Sequence, residues 1–387
     1  MPQPIPKKIK EKNPDMGEKK ITTLLVDGSN ILELSSSADR TVSSNGRIVG
    51  GVFQFLLQLK LMLRKGNFRY VYVFWDGDNS GFYRWCLNPQ YKGNRDKDYE
   101  NAVDDSLSEY MKSFNKKLKE MQDYIFSKNK KETVERKKEK DLFYEQRNIV
   151  MQCLEELFIR QCLCDKVEAD DLIAYYVKNK KKNERIVIMS NDSDLTQLIS
   201  DDVIVYVQSM KKFINTKNHK SEMGYDYHNV LLKKVICGDT SDNIKGIKGV
   251  GDTTLLKNFP QLKEREVRLD EIINEARLIN ENRLNEKKKP LKWAENIVNK
   301  VTDGVQGDKI YEINEKIINL KNPIMTDDAV ELMDSMMYAP IDPEGRSFEN
   351  LYKILTEYGV DNLKEEGVFA SFFSEFNNLA SKEKKNI

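Results

Sequence analysis

The strongest constraint on this 387-residue chain is a set of four short stretches, 21–26, 70–75, 185–189 and 203–208, that are almost continuously apolar. Each is rich in β-branched or aromatic residues, the pattern of a strand buried on both faces. Between the first two, GGVFQFLLQLKLMLRKG (50–66) repeats apolar residues at helical spacing and stops at a glycine. A long segment of mostly helical pattern separates the second and third stretches. The order β-α-β-(long, α-rich)-β-β predicts an α/β fold with a largely parallel central sheet flanked by helices.

Three of these strands run out into acids. The first ends in LLVDGSN with Asp27, the second in VFWDGDN with Asp76, and the third in VIMSNDSDLTQL with Asp192 and Asp194. A fourth group, Glu168, Asp170 and Asp171, opens a helix that leads into the third strand. One Asp after a strand is ordinarily a turn former or a helix cap. Acids at three strand exits and one helix start are hard to ascribe to turn chemistry, because the carboxyl ends of parallel strands converge on one crevice. At least six carboxylates would meet there.

Such a crowd needs cations, since two carboxylates about 4 Å apart repel by about 1 kcal/mol even in bulk water. The ligand chemistry is narrow. With two His, at 219 and 228, both outside these motifs, and five Cys without a CxxC pair, the composition disfavours a zinc site and points to all-oxygen ligation. Oxygen ligands select Mg²⁺ or Mn²⁺. The odd cysteine count also reads as reduced thiols in a cytoplasmic compartment. No apolar run approaches the ~18–20 residues needed to span a bilayer, so no membrane association is expected.

A further acidic pair lies in ICGDTSDNIKGIKGVG (236–251). Asp239 and Asp242 are three apart and would share a face of a helical turn. They precede Lys245, Gly246, Lys248, Gly249 and Gly251, a glycine-rich hairpin between two helices. Glycines let backbone amides approach a phosphate, and the next helix N-terminus attracts it. The spacing G-x-x-G-x-G without a preceding strand argues against a dinucleotide fold. Gripping of a nucleic-acid backbone fits better.

Basic and aromatic residues alternate in GFYRWCLNPQYKGNRDKDYE (81–100), where Arg84, Lys92, Arg95 and Lys97 stand among Phe82, Tyr83, Trp85, Tyr91 and Tyr99. Cations beside an acidic crevice can stabilise charge on a phosphodiester, and rings can stack on an unpaired base. Residues 111–140 carry eleven cations against five acids, while the whole chain is only +1. Nucleic acid must therefore meet local stripes rather than a net field.

Taken in order, LLVDGSN, VFWDG, YKGNRD, VEADDLIA, SNDSDLTQLI and GDTSDNIKGIKGVG resemble the 5′-nucleases, the flap endonucleases and 5′-to-3′ exonucleases, over roughly residues 21–260. The likeness is greatest to bacteriophage members of T-even ribonuclease H type. It implies a PIN-like 5′-nuclease fold: an α/β catalytic domain (21–223) with a helical arch insertion (97–145) and a helix-hairpin-helix element (224–260). The flexible basic tail (1–20), a departure from the family, and the helical C-terminal region (261–387), where the resemblance is silent, are read from composition and periodicity. The resemblance also implies two Mg²⁺ (or Mn²⁺) ions. One would be held by Asp27, Asp76, Glu168 and Asp170, the other by Asp171, Asp192, Asp194, Asp239 and Asp242. Lys92 and Arg95 would flank the scissile phosphate, and K⁺ would sit at the hairpin. The implied substrates are flap, overhanging, nicked or gapped DNA and RNA–DNA hybrid, cut by a monomer during primer removal, replication or repair. Implied partners are a single-stranded-DNA-binding protein or other replication proteins. The alternatives are a PIN-type ribonuclease, which usually lacks the hairpin, and a non-catalytic DNA-junction binder.

Overall fold

Period-two alternation explains why the strand segments are apolar throughout: each strand feeds two cores. The computed structural model describes residues 21–93, 130–363 and 365–384. Strand β1 (Ile21–Asp27) sends Leu24 and Val26 to one core and Leu25 to the other. After helices α1 (Gly28–Ala38) and α2 (Gly50–Leu63), strand β2 (Tyr70–Trp75) divides likewise, with Val71, Val73 and Trp75 opposite Tyr72 and Phe74. Helices α3 (Phe82–Leu87) and α4 (Lys130–Glu156) precede strand β3 (Arg160–Leu163). Helix α5 (Ala169–Asn179) then leads into β4 (Glu184–Ser190), followed by β5 (Val203–Val207) and β6 (Lys212–Ile214).

The sheet order is β3-β2-β1-β4-β5-β6, with β1 to β5 parallel and β6 antiparallel to β5. The four expected strands are present within a residue or two of their expected ends. Strand β3 was absent from the sequence pattern: RQCL is short, sits at the sheet edge and alternates buried with half-buried residues. Among the described residues no helix is long and apolar enough to cross a membrane.

Helix α6 (His219–Met223) ends on Gly224, and α7 (Val230–Cys237) opens a helical body. It continues through a small antiparallel ladder, β7 (Gly238–Asp239) with β8 (Ile244–Lys245), and then α8 (Asp252–Asn258), α9 (Leu269–Asn285), α10 (Lys292–Val298) and α11 (Ile310–Ile318). One apolar core runs from Val235 to Tyr311, joining hairpin and following helices into a single packed unit. The chain then returns to the sheet. Helix α12 (Asp327–Met336) covers one face through Ala329 and Met333. Helices α13 (Phe348–Tyr358) and α14 (Glu366–Lys384) cover the other through Leu351, Leu355, Phe373 and Phe376, packed against α2 and α4. Residues 1–20 and 97–129 of the expected tail and arch lie outside the described residues.

Candidate active site

Strands β1, β2 and β4 run parallel and in register, so their ends deliver acids to one edge. Each acid is also oriented by a backbone duty. Asp27 caps α1 by accepting from the Asn30 amide at 3.1 Å, and its other oxygen accepts from the Ser190 hydroxyl at 2.8 Å. Asp76 accepts at 2.9 Å from the Ala169 amide, the first residue of α5, and so ties Glu168 and Asp170 to the end of β2. Asp192 accepts from the Asp194 amide at 2.8 Å and starts a short 3₁₀ helix, Ser193–Leu198. Turn chemistry and site-building are thus the same bonds here. The glycine after Asp76 is obligatory, since a Cβ on Gly77 would lie 1.5 Å from the Cys164 carbonyl oxygen.

Electrostatics record the crowding. Burial and then Asp76 push the Asp27 carboxyl from 3.8 up to about 7, against the pull of its bonds to Asn30 and Ser190. Burial, followed by Asp192, Asp27, Asp76 and Glu168, raises Asp170 well above the carboxylate range. Asp192 is also raised, burial outweighing Lys234 and Lys92. Asp27, Asp76, Glu168, Asp170 and Asp192 therefore form one mutually repelling group.

Two lysines intrude on this group. Lys92 pairs with Glu168 and lies 3.9 Å from Asp242; Glu168 and Asp242 help keep it protonated despite burial. Its backbone takes a left-handed conformation (φ 49°) and its amide donates to the Asp242 carbonyl at 2.8 Å. Lys234, on α7, bridges Asp194 and Asp239. Burial acts against the charge on Asp239, but Lys234 and Ser241 prevail and lower its pKa to about 2. Sequence reasoning missed Lys234 because a Lys–Lys pair on an amphipathic helix reads as solvated; its five-residue spacing from Asp239 was the available signal.

Three expectations are corrected. Arg84 does not face nucleic acid: it is buried, bonded to both Asp171 oxygens, 2.8 Å from Glu168, and donates through Nε to the Ile317 carbonyl at 2.8 Å. Burial disfavours its charge, and Asp171 and Glu168 together outweigh that. Asp171 is correspondingly not free to ligate: besides Arg84 it accepts from the Ile324 amide at 2.9 Å, and it is 1% exposed. Tyr91 is buried against Ile244, Ile317 and Ile318, with its hydroxyl donating to Glu168 at 2.9 Å, so its ring cannot stack on a base. Of the neighbouring rings, Phe82 and Trp85 are buried and Tyr83 is exposed.

The second acidic pair is also built differently. Asp239 ends strand β7, paired with Ile244, and Asp242 sits on the turn that follows, rather than both on a helix. Asp239 accepts from the Ser241 amide at 2.8 Å, and Asp242 approaches the Tyr91 hydroxyl at 3.3 Å. Beyond the ladder, a Cβ on Gly246 would lie 2.1 Å from the Cys237 carbonyl carbon, so only glycine lets the loop turn against α7. Lys245, Lys248, Gly249 and Gly251 are exposed along this loop. Arg95 lies outside the described residues.

Among the described residues no three acids close on a common point as a finished metal cage. They fit hard divalent ions nonetheless: the donors are carboxylates, several are held close to unfavourable ionisation by one another, and lysines serve as their counter-charges.

The family model for the 5′-3′ exonuclease N-terminal resolvase-like domain matches residues 22–224. The 5′-3′ exonuclease of Mycoplasmopsis pulmonis is 38% identical over 101 residues, 25% of this chain and 34% of that protein. DNA polymerase I of Bacillus subtilis is 30% identical over 136 residues, 33% of this chain and 16% of the relative. The matched segments thus span well under half of these relatives. In structure the chain is similar to the 5′-exonuclease of bacteriophage T5 with divalent zinc ions bound, at 16% identity and a TM-score of 0.55, covering 93% of this chain and 99% of that one. A T5 flap endonuclease in complex with DNA and metal ions aligns at a TM-score of 0.54, 15% identity and the same coverage. These likenesses show a shared fold.

Proposed function

Because the chain belongs to the 5′-3′ exonuclease family, we propose that it is a metal-dependent, structure-specific 5′-nuclease. It would hydrolyse phosphodiesters at flaps and 5′ ends of DNA and RNA–DNA hybrid during primer removal, replication or repair in the cytoplasm. The observation that carries this is the meeting of Asp27, Asp76, Glu168, Asp170 and Asp192 at one sheet edge with Lys92 set against Glu168. These acids would hold one Mg²⁺ or Mn²⁺, and Asp192, Asp194, Asp239 and Asp242 a second. Bound there, such ions lower the pKa of water and neutralise charge on attacking and leaving oxygens.

The chain's own groups do the rest. Asp27 and Asp76 are fixed by Ser190 and the Ala169 amide, so the crevice is preorganised before substrate arrives. Lys92, held on a left-handed turn, can exchange its contact with Glu168 for a phosphate oxygen and stabilise negative charge developing there, with Arg95 as its companion. Arg84 supports Glu168 from beneath and takes no direct part. The loop 245–251 would grip duplex backbone, with K⁺ as a candidate ion there, and Lys234 would yield Asp194 and Asp239 to a cation.

A 5′-labelled flap substrate tests this directly. Cleavage near the flap base in Mg²⁺ and none in EDTA is expected. Binding without cleavage would identify a junction binder, and internal cuts in single-stranded RNA without dependence on a 5′ end would identify a PIN-type ribonuclease.

A further inference from the structure

Helices α9 and α10 form an antiparallel pair packed into the same core as the loop 246–251. The end of α10 is bonded to that loop. Asn296 donates to the Lys248 carbonyl at 2.7 Å, the Lys248 amide donates to Val301 at 2.9 Å, and the Thr302 hydroxyl donates to Gly246 at 2.9 Å. The opposite end of α10 is the turn from α9, and it carries Lys287, Lys288, Lys289 and Lys292, all exposed.

This turn is built rather than loose. Lys287 adopts a left-handed conformation (φ 57°), a place glycine ordinarily fills. Its amide donates to Leu284 at 2.9 Å and the Lys288 amide to Arg283 at 2.7 Å, closing the helix end. Arg283 donates from Nε to the Lys289 carbonyl at 2.8 Å, and Asn280 clasps both backbone groups of Leu291, at 2.7 and 3.1 Å. Among the described residues Lys287 and Lys289 make no ion pair, although Glu286 stands beside them and pairs with Lys288.

We infer that the α9–α10 turn is a second contact for the sugar–phosphate backbone of the duplex, beyond the hairpin and on the side away from the acidic crevice. This rests on the nuclease proposal for its substrate class. The contacts run in series: the β7–β8 turn that precedes the loop touches the neighbourhood of Lys92 through Asn243 and Gln90, α10 leads off from the loop, and the lysine turn lies at its far end. From Lys292 to Val298, the two ends of α10, the axial distance is about 9 Å at ~1.5 Å per residue. That is about three base pairs at ~3.4 Å each. The hairpin and the turn would therefore hold phosphates about that far apart, lengthening the footprint without reading sequence.

The test compares wild type with a Lys287→Glu/Lys288→Glu/Lys289→Glu variant, by fluorescence anisotropy in EDTA, on flap substrates whose duplex arms are about 8 or about 20 base pairs long. On the long arm we expect a tenfold or greater loss of affinity and a salt slope lower by about 2 to 3, at ~0.9 per phosphate released. On the short arm affinity and Mg²⁺-dependent cleavage should match wild type. Equal affinity on the long arm, or equal losses on both arms, overturns the proposal. A plain duplex of about 20 base pairs gives the same comparison without any flap. A wild type that fails to cleave therefore counts against the nuclease proposal, while affinity for the plain duplex still decides the turn.

Discussion

Replacing Asp27 by Asn should abolish cleavage and yet stabilise the metal-free protein, with a sign that depends on pH. Asp27 is 4% exposed, and its carboxyl rises from 3.8 to about 7. A shift of ~3 units is worth about 4 kcal/mol between protonation states, at ~1.4 kcal/mol per unit. An acid whose folded pKa is raised binds its proton more tightly in the native state. Stability therefore falls as pH rises from about 4 to about 7, and the full cost is present above that window. Asn lacks this cost while keeping an oxygen for the Asn30 amide. The Ser190 hydroxyl must re-pair with the new amide, which offsets the gain by about 1 kcal/mol. We expect urea unfolding in EDTA to show the variant equal to or slightly weaker than wild type at pH 4.5 and more stable by about 1–3 kcal/mol at pH 8. Adding Mg²⁺ at pH 8 should raise wild type and leave the variant nearly unmoved. A variant destabilised equally at both pH values in EDTA would refute the claim that mutual repulsion strains this crevice.

Asp171→Ala should behave oppositely, losing about 3–5 kcal/mol with or without Mg²⁺, because it leaves the Arg84 guanidinium buried beside one acid fewer. Chemical denaturation checks this, and a loss confined to Mg²⁺-containing buffer would restore Asp171 as a ligand. Lys92→Ala should slow single-turnover cleavage by about 10²–10³-fold, in the range seen on removing one preorganised donor, with little change in flap affinity. An unaltered rate removes Lys92 from the chemistry. Gly246→Ala should weaken duplex binding, since its Cβ would strike the Cys237 carbonyl; wild-type affinity in a gel-shift assay would show that the loop takes no part.

Much of the fold was legible because strands buried on both sides have no polar positions to blur them, as in 21–26 and 70–75. The acids at their exits were legible because parallel strands leave no other place for them. What escaped depends on facing and depth. Arg84 and Tyr91 precede Lys92 within eight residues and share its surface-like composition, but α3 turns Arg84 inward, and the turn after it Tyr91, against Glu168. Lys234 hid among helix lysines. Asp239 and Asp242 suited a helical face by spacing alone, whereas Gly238 (φ 76°) and Asn243 (φ 54°) bend that stretch into a ladder. Edge strand β3 has too few residues for any period to emerge.

The placement of α14 has a cost for biosynthesis. Phe372, Phe373 and Phe376 complete the core that α2 begins, although some three hundred residues separate the two helices. At ~5–20 residues per second, a ribosome would leave the part of α2 that α14 covers bare for about 15 to 60 s, although α1 already packs on its other side. Nascent chains should therefore lean on chaperones throughout that interval.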